Sequence, residues 1–279
     1  MGSFDKIKAY APQEEKFFDD GREEALVKFV ISRPSLRNSP VEILAAIDEY
    51  GRTHKYLMNV GEDKGAIVTD IIRKRRPSIM IELGGYCGYS TILFANEVRA
   101  CGGTKFYSLE RDPKFAANIN TLVAFAGLGD FVEVVVGPSN ESIRSLHNSG
   151  RVESVEMMFL DHYKPAYTTD LKLCESLGMI RENTVLVADN VIKPGNPPYL
   201  EYVRSSVQEK RMSLAQEQRN DTESFSSHSA AQYGAVESLS TDARGNPNLI
   251  YKSELIESFE PTGVPDGVEI TWCLGTSTE

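Results

Sequence analysis

From about residue 66 onward the chain alternates short apolar runs with helix-length amphipathic segments. The runs are SIMIEL, KFYSLE, VEVVVG, VEMMFLD and TVLVAD; the longer segments cover 91–100, 113–126, 139–147, 168–177 and 198–206. Strands alternating with helices predict βαβ units and a mostly parallel, doubly wound α/β sheet with helices on both faces. Two late runs, NLIYKSELIESFE and GVEITWCLG, flank the turn PTGVPDG. They predict a hairpin closing one edge of a seven-stranded sheet, antiparallel at least in part. Ahead of the sheet, residues 1 to about 60 read as helices. Leu26, Phe29 and Val30 form one apolar stripe and Ile43, Ile47 and Tyr50 another, with Asn38, Ser39 and Pro40 supplying cap and first-turn chemistry.

Between 208 and 246 the texture changes to Ser, Gln, Glu, Asn and Arg with few large apolar residues. Such a stretch predicts a surface excursion or partial disorder. The expected organisation is an N-terminal extension at 1–20 and a single domain at 21–279, with a polar insertion at about 208–250.

Charge and cysteine usage exclude some function classes. The 279 residues carry a net charge of −10, which argues against nucleic acid or an anionic membrane surface as the main partner. The basic run from Arg73 to Arg76 follows Ile67, Val68, Ile71 and Ile72, so it reads as the cationic last turn of a helix. Cys87, Cys101, Cys174 and Cys273 lie far apart without CxxC pairing, as in a reducing compartment. No apolar leader opens the chain and no run is long enough for a membrane span, so a cytoplasmic protein is expected.

The candidate chemistry sits where the strands end. Glu82, Glu110, Asp161 and Asp189 all fall near the carboxyl ends of predicted strands, where open α/β sheets bind ligands. After the first strand comes IELGGYCGYS. Its glycines permit either a tight strand-to-helix turn or a backbone lying against a cofactor. The dinucleotide spacing GxGxxG is absent, because Tyr86 and Cys87 occupy the positions that need glycine. The spacing acid-x-Gly-x-x-x-Gly resembles motif I of S-adenosylmethionine-dependent methyltransferases. Glu110 can accept both ribose hydroxyls of an adenosyl cofactor, or can serve as the N-terminal acid of the helix beginning near Pro113. Asp161, Asp189 and Asn190 are three hard oxygen donors suited to Mg²⁺, although either Asp alone also reads as a helix N-cap. Lys164 is either a general base beside that cation or a solvated surface charge.

Taken together, MNVGEDKG, IELGGYCGYS, SLERDP, MMFLDHYK and VLVADNVIKPG resemble the catechol O-methyltransferase family, in order and at similar spacings. The resemblance covers about 21–206, plus FEPTGVPDGVEI after the insertion. It implies a Rossmann-like methyltransferase fold and a monomeric enzyme that moves a methyl group from S-adenosylmethionine to a catechol chelated by Mg²⁺. It further implies Asp161, Asp189 and Asn190 as metal ligands, with Lys164 as general base. Glu260 would bind the second catechol hydroxyl. Cofactor contacts would come from Val60, Gly84, Tyr86, Ser90, Glu110, Ser139, Asn140 and His162. Met58 and Lys64 would lie near the methyl group and substrate, and Pro194 would line the catechol pocket. Tyr56 and Tyr163 stand where the animal enzymes carry tryptophan, and between Ser206 and Leu255 the chain exceeds the family pattern by about forty residues. A metal-dependent O-methyltransferase of larger phenolic or phenylpropanoid substrates, and an inactive S-adenosylmethionine-binding protein, are the alternatives.

Overall fold

The structure, a computed structural model, describes residues 3–14, 20–217 and 243–278. Three helices come first: α1 (Arg22–Ile31), α2 (Pro40–Thr53) and α3 (Gly61–Arg75). The expected alternation follows, as β1 (Ile79–Leu83), α4 (Tyr89–Ala100), β2 (Lys105–Glu110), α5 (Pro113–Phe125) and β3 (Val132–Val136). It continues through α6 (Ser139–Asn148), β4 (Met157–Leu160), α7 (Ala166–Ser176), β5 (Val185–Ala188) and α8 (Pro197–Arg204). The helix α9 (Val207–Glu217) and the long strands β6 (Leu249–Phe259) and β7 (Pro265–Thr276) complete the chain.

The seven strands form one sheet in the order β3-β2-β1-β4-β5-β7-β6. Pairs β1–β2, β2–β3 and β4–β5 are parallel, while β5 meets β7 antiparallel, with Val185 opposite Trp272 and Ala188 opposite Glu269. Strands β4 and β5 are buried along their whole length, which is why they read as continuous apolar runs without alternation. Two compact units divide the chain. The first is Met1–Pro138 with Glu257–Asp266, and the second is Ser139–Ile256 with Gly267–Glu279.

Local sequence explains the element ends. Asp112 caps α5 by accepting from the amides of Lys114 (2.7 Å) and Phe115 (3.4 Å), with Pro113 in the first turn. Arg73, Lys74 and Arg75 fill the last turn of α3, where the carbonyl end of the helix favours cations. The polar segment at 208–250 opens as α9; residues 218–242 lie outside the described residues. At the start of α9, Ser206 and Glu209 form a reciprocal cap. The Ser206 amide donates to Glu209 Oε2 (2.7 Å) and the Glu209 amide to Ser206 Oγ (3.2 Å). Among the described residues no helix is long and apolar enough to cross a membrane.

Two substitutions measure these contributions. Asp112→Ala should cost about 1 kcal/mol through the lost cap. Phe106→Ala, at a fully buried position of β2, should cost about 3–5 kcal/mol. Urea midpoints should move accordingly with unchanged slope.

Candidate active site

In the first unit, the glycine-rich turn after β1 serves two different purposes. Gly84 and Gly88 both have φ of +89°, a backbone conformation that disfavours side chains. Gly85 is needed for space, since a Cβ there would lie 2.5 Å from Ser108 Oγ and 2.6 Å from Ile119 Cδ1. Glu110 fastens this turn. Its Oε2 accepts from the amides of Gly85 (3.1 Å) and Tyr86 (2.8 Å), and its Oε1 accepts from the Asp112 amide (2.9 Å). Burial raises its pKa, and the three amides pull it back down. Tyr86, at φ of +49°, donates its hydroxyl to Glu23 Oε1 at 2.7 Å and meets Phe115 edge to face. Ser90 lies buried in the first turn of α4.

Glu82 differs from the other strand-end acids. It is fully buried, and its Oε2 accepts from the hydroxyls of Thr91 (2.5 Å) and Ser108 (2.8 Å). It thereby ties the start of α4 to β2.

Val60, Met58 and Lys64 lie around the start of α3. Val60 is buried and Met58 exposed. Lys64 is wholly enclosed, and its Nζ donates to Glu260 Oε1 at 2.6 Å and to Asp266 Oδ2 at 2.9 Å. Two predicted site residues, Lys64 and Glu260, are thus joined by a third, Asp266. Beneath the glycine turn runs a buried polar network. Cys87 Sγ donates to Asn59 Oδ1 (3.0 Å), Asn59 Nδ2 to the Tyr10 hydroxyl (3.3 Å), and the Tyr10 and Tyr89 hydroxyls to the two oxygens of Asp48 (2.5 and 3.2 Å).

In the second unit, Asp161 and Asp189 directly follow β4 and β5. Lys164 is buried, with Nζ 2.8 Å from Asp161 Oδ1 and 2.7 Å from the Tyr167 hydroxyl, which donates to the Asp189 carbonyl oxygen at 3.3 Å. Asp189 is almost fully enclosed and accepts the Asn190 amide on Oδ1 at 2.8 Å; Asn190 itself sits at φ of +57°. Pro194 is half-buried in the turn that follows. The Ser139 hydroxyl and His162 Nε2 both bond to Asp170 Oδ2, the latter at 2.9 Å. The His162 ring stacks on Tyr167 with centroids 4.8 Å apart. Its Nδ1 is buried and finds no hydrogen-bond partner among the described residues. Asn140 is half-buried beside Ser139. Among the described residues no group of three or more His, Cys, Asp or Glu gathers as for a metal ion. The predicted set differs in kind, being two carboxylates and an amide.

A methyltransferase-domain family model matches residues 81–191. Catechol O-methyltransferase of Bos taurus is 41% identical over 185 residues, which are 66% of this chain and 67% of that protein. Catechol O-methyltransferase B of Danio rerio is 39% identical over 185 residues, 66% of this chain and 69% of that one. The chain belongs to the catechol O-methyltransferase family. It is an S-adenosylmethionine-dependent O-methyltransferase. Among solved structures, the O-methyltransferase TomG of Streptomyces achromogenes shares the fold, with a TM-score of 0.56 over 91% of this chain and 99% of that one, at 19% identity.

Three partners of the predicted site residues escape a reading of the sequence: Asp266, Asp170 and Tyr167. Asp266 sits in a VPDG stretch that reads as a turn, and its lysine is 202 residues away. Asp170 looks like one more polar position near the start of a helix. Tyr167 carried the only local signal, since it stands three residues beyond Lys164.

Lys64→Met should take the ammonium from the buried Asp266 and the half-buried Glu260 and cost about 3–5 kcal/mol in unfolding free energy. Asp48 gives a pH dependence. Burial lifts its carboxyl from 3.8 to about 6, against the pull of the Tyr10 and Tyr89 hydroxyls. The folded state therefore holds that proton more tightly than the unfolded chain, and this group's penalty grows as pH rises through about 4 to 6. Relative to wild type, Asp48→Asn should gain about 2–3 kcal/mol of stability between about pH 4 and pH 8, read from urea unfolding at both.

Proposed function

We propose that this protein methylates one hydroxyl of a catechol, with S-adenosylmethionine as donor, Mg²⁺ as cofactor and Lys164 as general base. The carrying observation is the buried arrangement around Lys164, whose Nζ bonds both Asp161 and Tyr167 directly after β4. A buried lysine held by a strand-end carboxylate is poised for proton transfer rather than solvated as a surface charge.

Asp161, Asp189 and Asn190 would hold the metal. An all-oxygen set of two carboxylates and an amide fits Mg²⁺, which keeps its remaining positions for water and substrate. Val60, Gly84, Tyr86, Ser90, Glu110, Ser139, Asn140 and His162 would hold the donor. The unpartnered His162 Nδ1 supports this, because a buried imidazole nitrogen with no protein partner is satisfied when a ligand supplies one. When bound, these two groups supply a cation that acidifies a hydroxyl and favours a neutral amine nearby, and an electrophilic methyl group.

The residues of the chain do the rest. Lys164 accepts the proton of the reacting hydroxyl on Nζ. Asp161 keeps Lys164 oriented, and Tyr167 supports it from the other side. Glu260, held by Lys64, accepts a hydrogen bond from the second hydroxyl. Met58 and Pro194 present apolar surface to the aromatic ring. Holding hydroxyl and donor in a near-attack pose is worth on the order of 7–11 kcal/mol where geometry is ideal. All four cysteines are free thiols, which supports a reducing cytoplasmic setting, and we take the working form to be a monomer.

The test is transfer of labelled methyl from S-adenosylmethionine to catechols and to phenylpropanoid esters, with Mg²⁺ and with EDTA. Transfer to catechols that EDTA abolishes is expected, and Lys164→Ala should lower kcat by about 10²–10⁴-fold with cofactor affinity unchanged. Transfer that survives EDTA or the lysine variant removes the metal or the base from the proposal. Preference for the esters replaces the acceptor. Cofactor binding without any transfer replaces the enzyme by a binding protein.

A further inference from the structure

In the first described segment of the chain Tyr10 is buried and Phe4 half-buried, while Asp5, Lys6, Ile7 and Lys8 between them are exposed. Both rings land on the first unit close to Glu260. The amide of Tyr10 donates to the Pro261 carbonyl at 2.9 Å, and that of Ala11 to the Gly51 carbonyl at 2.8 Å. Phe4 packs against Phe259 with centroids 5.5 Å apart, and lies so close to Gly263 that a Cβ there would fall 2.7 Å from Phe4 Cδ1. The Tyr10 ring occupies space that only glycine leaves at position 51, where a Cβ would stand 2.5 Å from Tyr10 Cε2. Lys8 adds an ion pair to Glu62 in the first turn of α3.

The target of these contacts is the tight turn 260–264. It closes on itself through the Glu260 amide to the Val264 carbonyl and the Gly263 amide to the Glu260 carbonyl, both at 2.8 Å. Inside, Lys64 grips its carboxylate. On the backbone side, Pro261 seats against Gly61, where a Cβ would fall 2.6 Å from its Cγ. One backbone amide, that of Tyr10, and one ring, that of Phe4, therefore add to the hold that the Lys64 ion pair, the turn's own hydrogen bonds and the Pro261–Gly61 contact place on this turn.

We propose that the Phe4–Tyr10 segment is a strap that positions Glu260 for the acceptor, with Phe4 and Tyr10 as positioning residues. This rests on the reading that Glu260 binds the acceptor's second hydroxyl. The strap touches the turn through the Tyr10 amide and the Phe4 ring, with the Tyr10 ring anchoring it on α2, so it sets where the Glu260 carboxylate points without contacting substrate. A displaced carboxylate weakens acceptor binding and alignment while the donor's residues keep their places, so the strap separates acceptor affinity from cofactor affinity.

The experiment compares wild type with Phe4→Ala, Tyr10→Ala and Tyr10→Phe. It reads acceptor KM and kcat with a catechol and Mg²⁺, S-adenosylmethionine Kd by calorimetry, and hydrogen exchange of the amides at 260–264. Both alanine variants should raise acceptor KM by about tenfold and speed exchange in the turn; the cofactor comparison rests on Phe4→Ala, whose Kd should stay within about twofold of wild type, because Tyr10 also belongs to the network beneath the glycine turn. Tyr10→Phe keeps the ring seat and the amide, so it should stay near wild type in KM. Should Tyr10→Ala fail to fold, Phe4→Ala, whose ring is only half-buried, carries the comparison. Unchanged KM and exchange in the alanine variants would overturn the strap, as would KM and cofactor Kd rising together in Phe4→Ala, the mark of general loosening. A wild type that methylates no catechol would overturn the parent reading instead, and is recognised before any variant is compared.

Discussion

The constraint on which the acceptor side of the first unit turns is a lysine sealed away from water. Removing an ammonium from water costs several kcal/mol, recovered only where carboxylates meet it at close range. Lys64 has two, at 2.6 and 2.9 Å, contributed from 196 and 202 residues further along the chain. Replacing all three by apolar groups is the kind of change that often preserves stability, so stability alone does not explain the triad. What it does specify is position. Helix α3 and the turn between β6 and β7 have one mutual placement that satisfies the buried charges, and that placement fixes Glu260.

Glu110 plays the corresponding part for the glycine turn. A carboxylate that takes three backbone amides is a stable buried acid even without a cation beside it. Two of those amides belong to Gly85 and Tyr86, so the turn after β1 is held by the end of β2. The glycines then divide between purposes that a sequence cannot separate. Gly85 lets Ser108 and Ile119 approach, an ordinary packing need, while Gly84 and Gly88 provide backbone conformations that other residues resist. The tight-turn reading and the cofactor reading therefore apply to different residues of one loop.

How much was legible follows from the range over which each signal acts. Parallel strands buried on both faces leave continuous apolar runs, as β4 and β5 do, while the half-buried β3 showed itself by its valines and the late hairpin by its turn residues. Strand-end carboxylates also announce themselves, because a charged residue directly after such a run is conspicuous. The opposite held for Glu82, which has the same local signature but spends its carboxylate on Thr91 and Ser108 inside the core. Asp266 was illegible for the same reason, since its lysine is 202 residues away, and Asp170 joins one partner 31 residues away to another, His162, only 8 away. Helix α9 is a different kind of miss. Its cap, Ser206 with Glu209, is written in the four residues SVQE, but the polar composition that follows drew the reading towards an excursion.

The proton inventory at Lys164 bears on whether this lysine can act as a base at all. The Tyr167 hydroxyl commits its hydrogen to the Asp189 carbonyl, so towards Lys164 it can only accept. Asp161, as a carboxylate, also only accepts. Nζ must therefore donate twice, which fixes two of the three hydrogens of an ammonium. A neutral amine still has two hydrogens to give and gains a lone pair. Loss of one proton thus breaks neither hydrogen bond, and what changes is the charge assistance in the bond to Asp161. The geometry that buries Lys164 thus leaves its bonds to Asp161 and Tyr167 open to the ammonium and to the neutral amine alike.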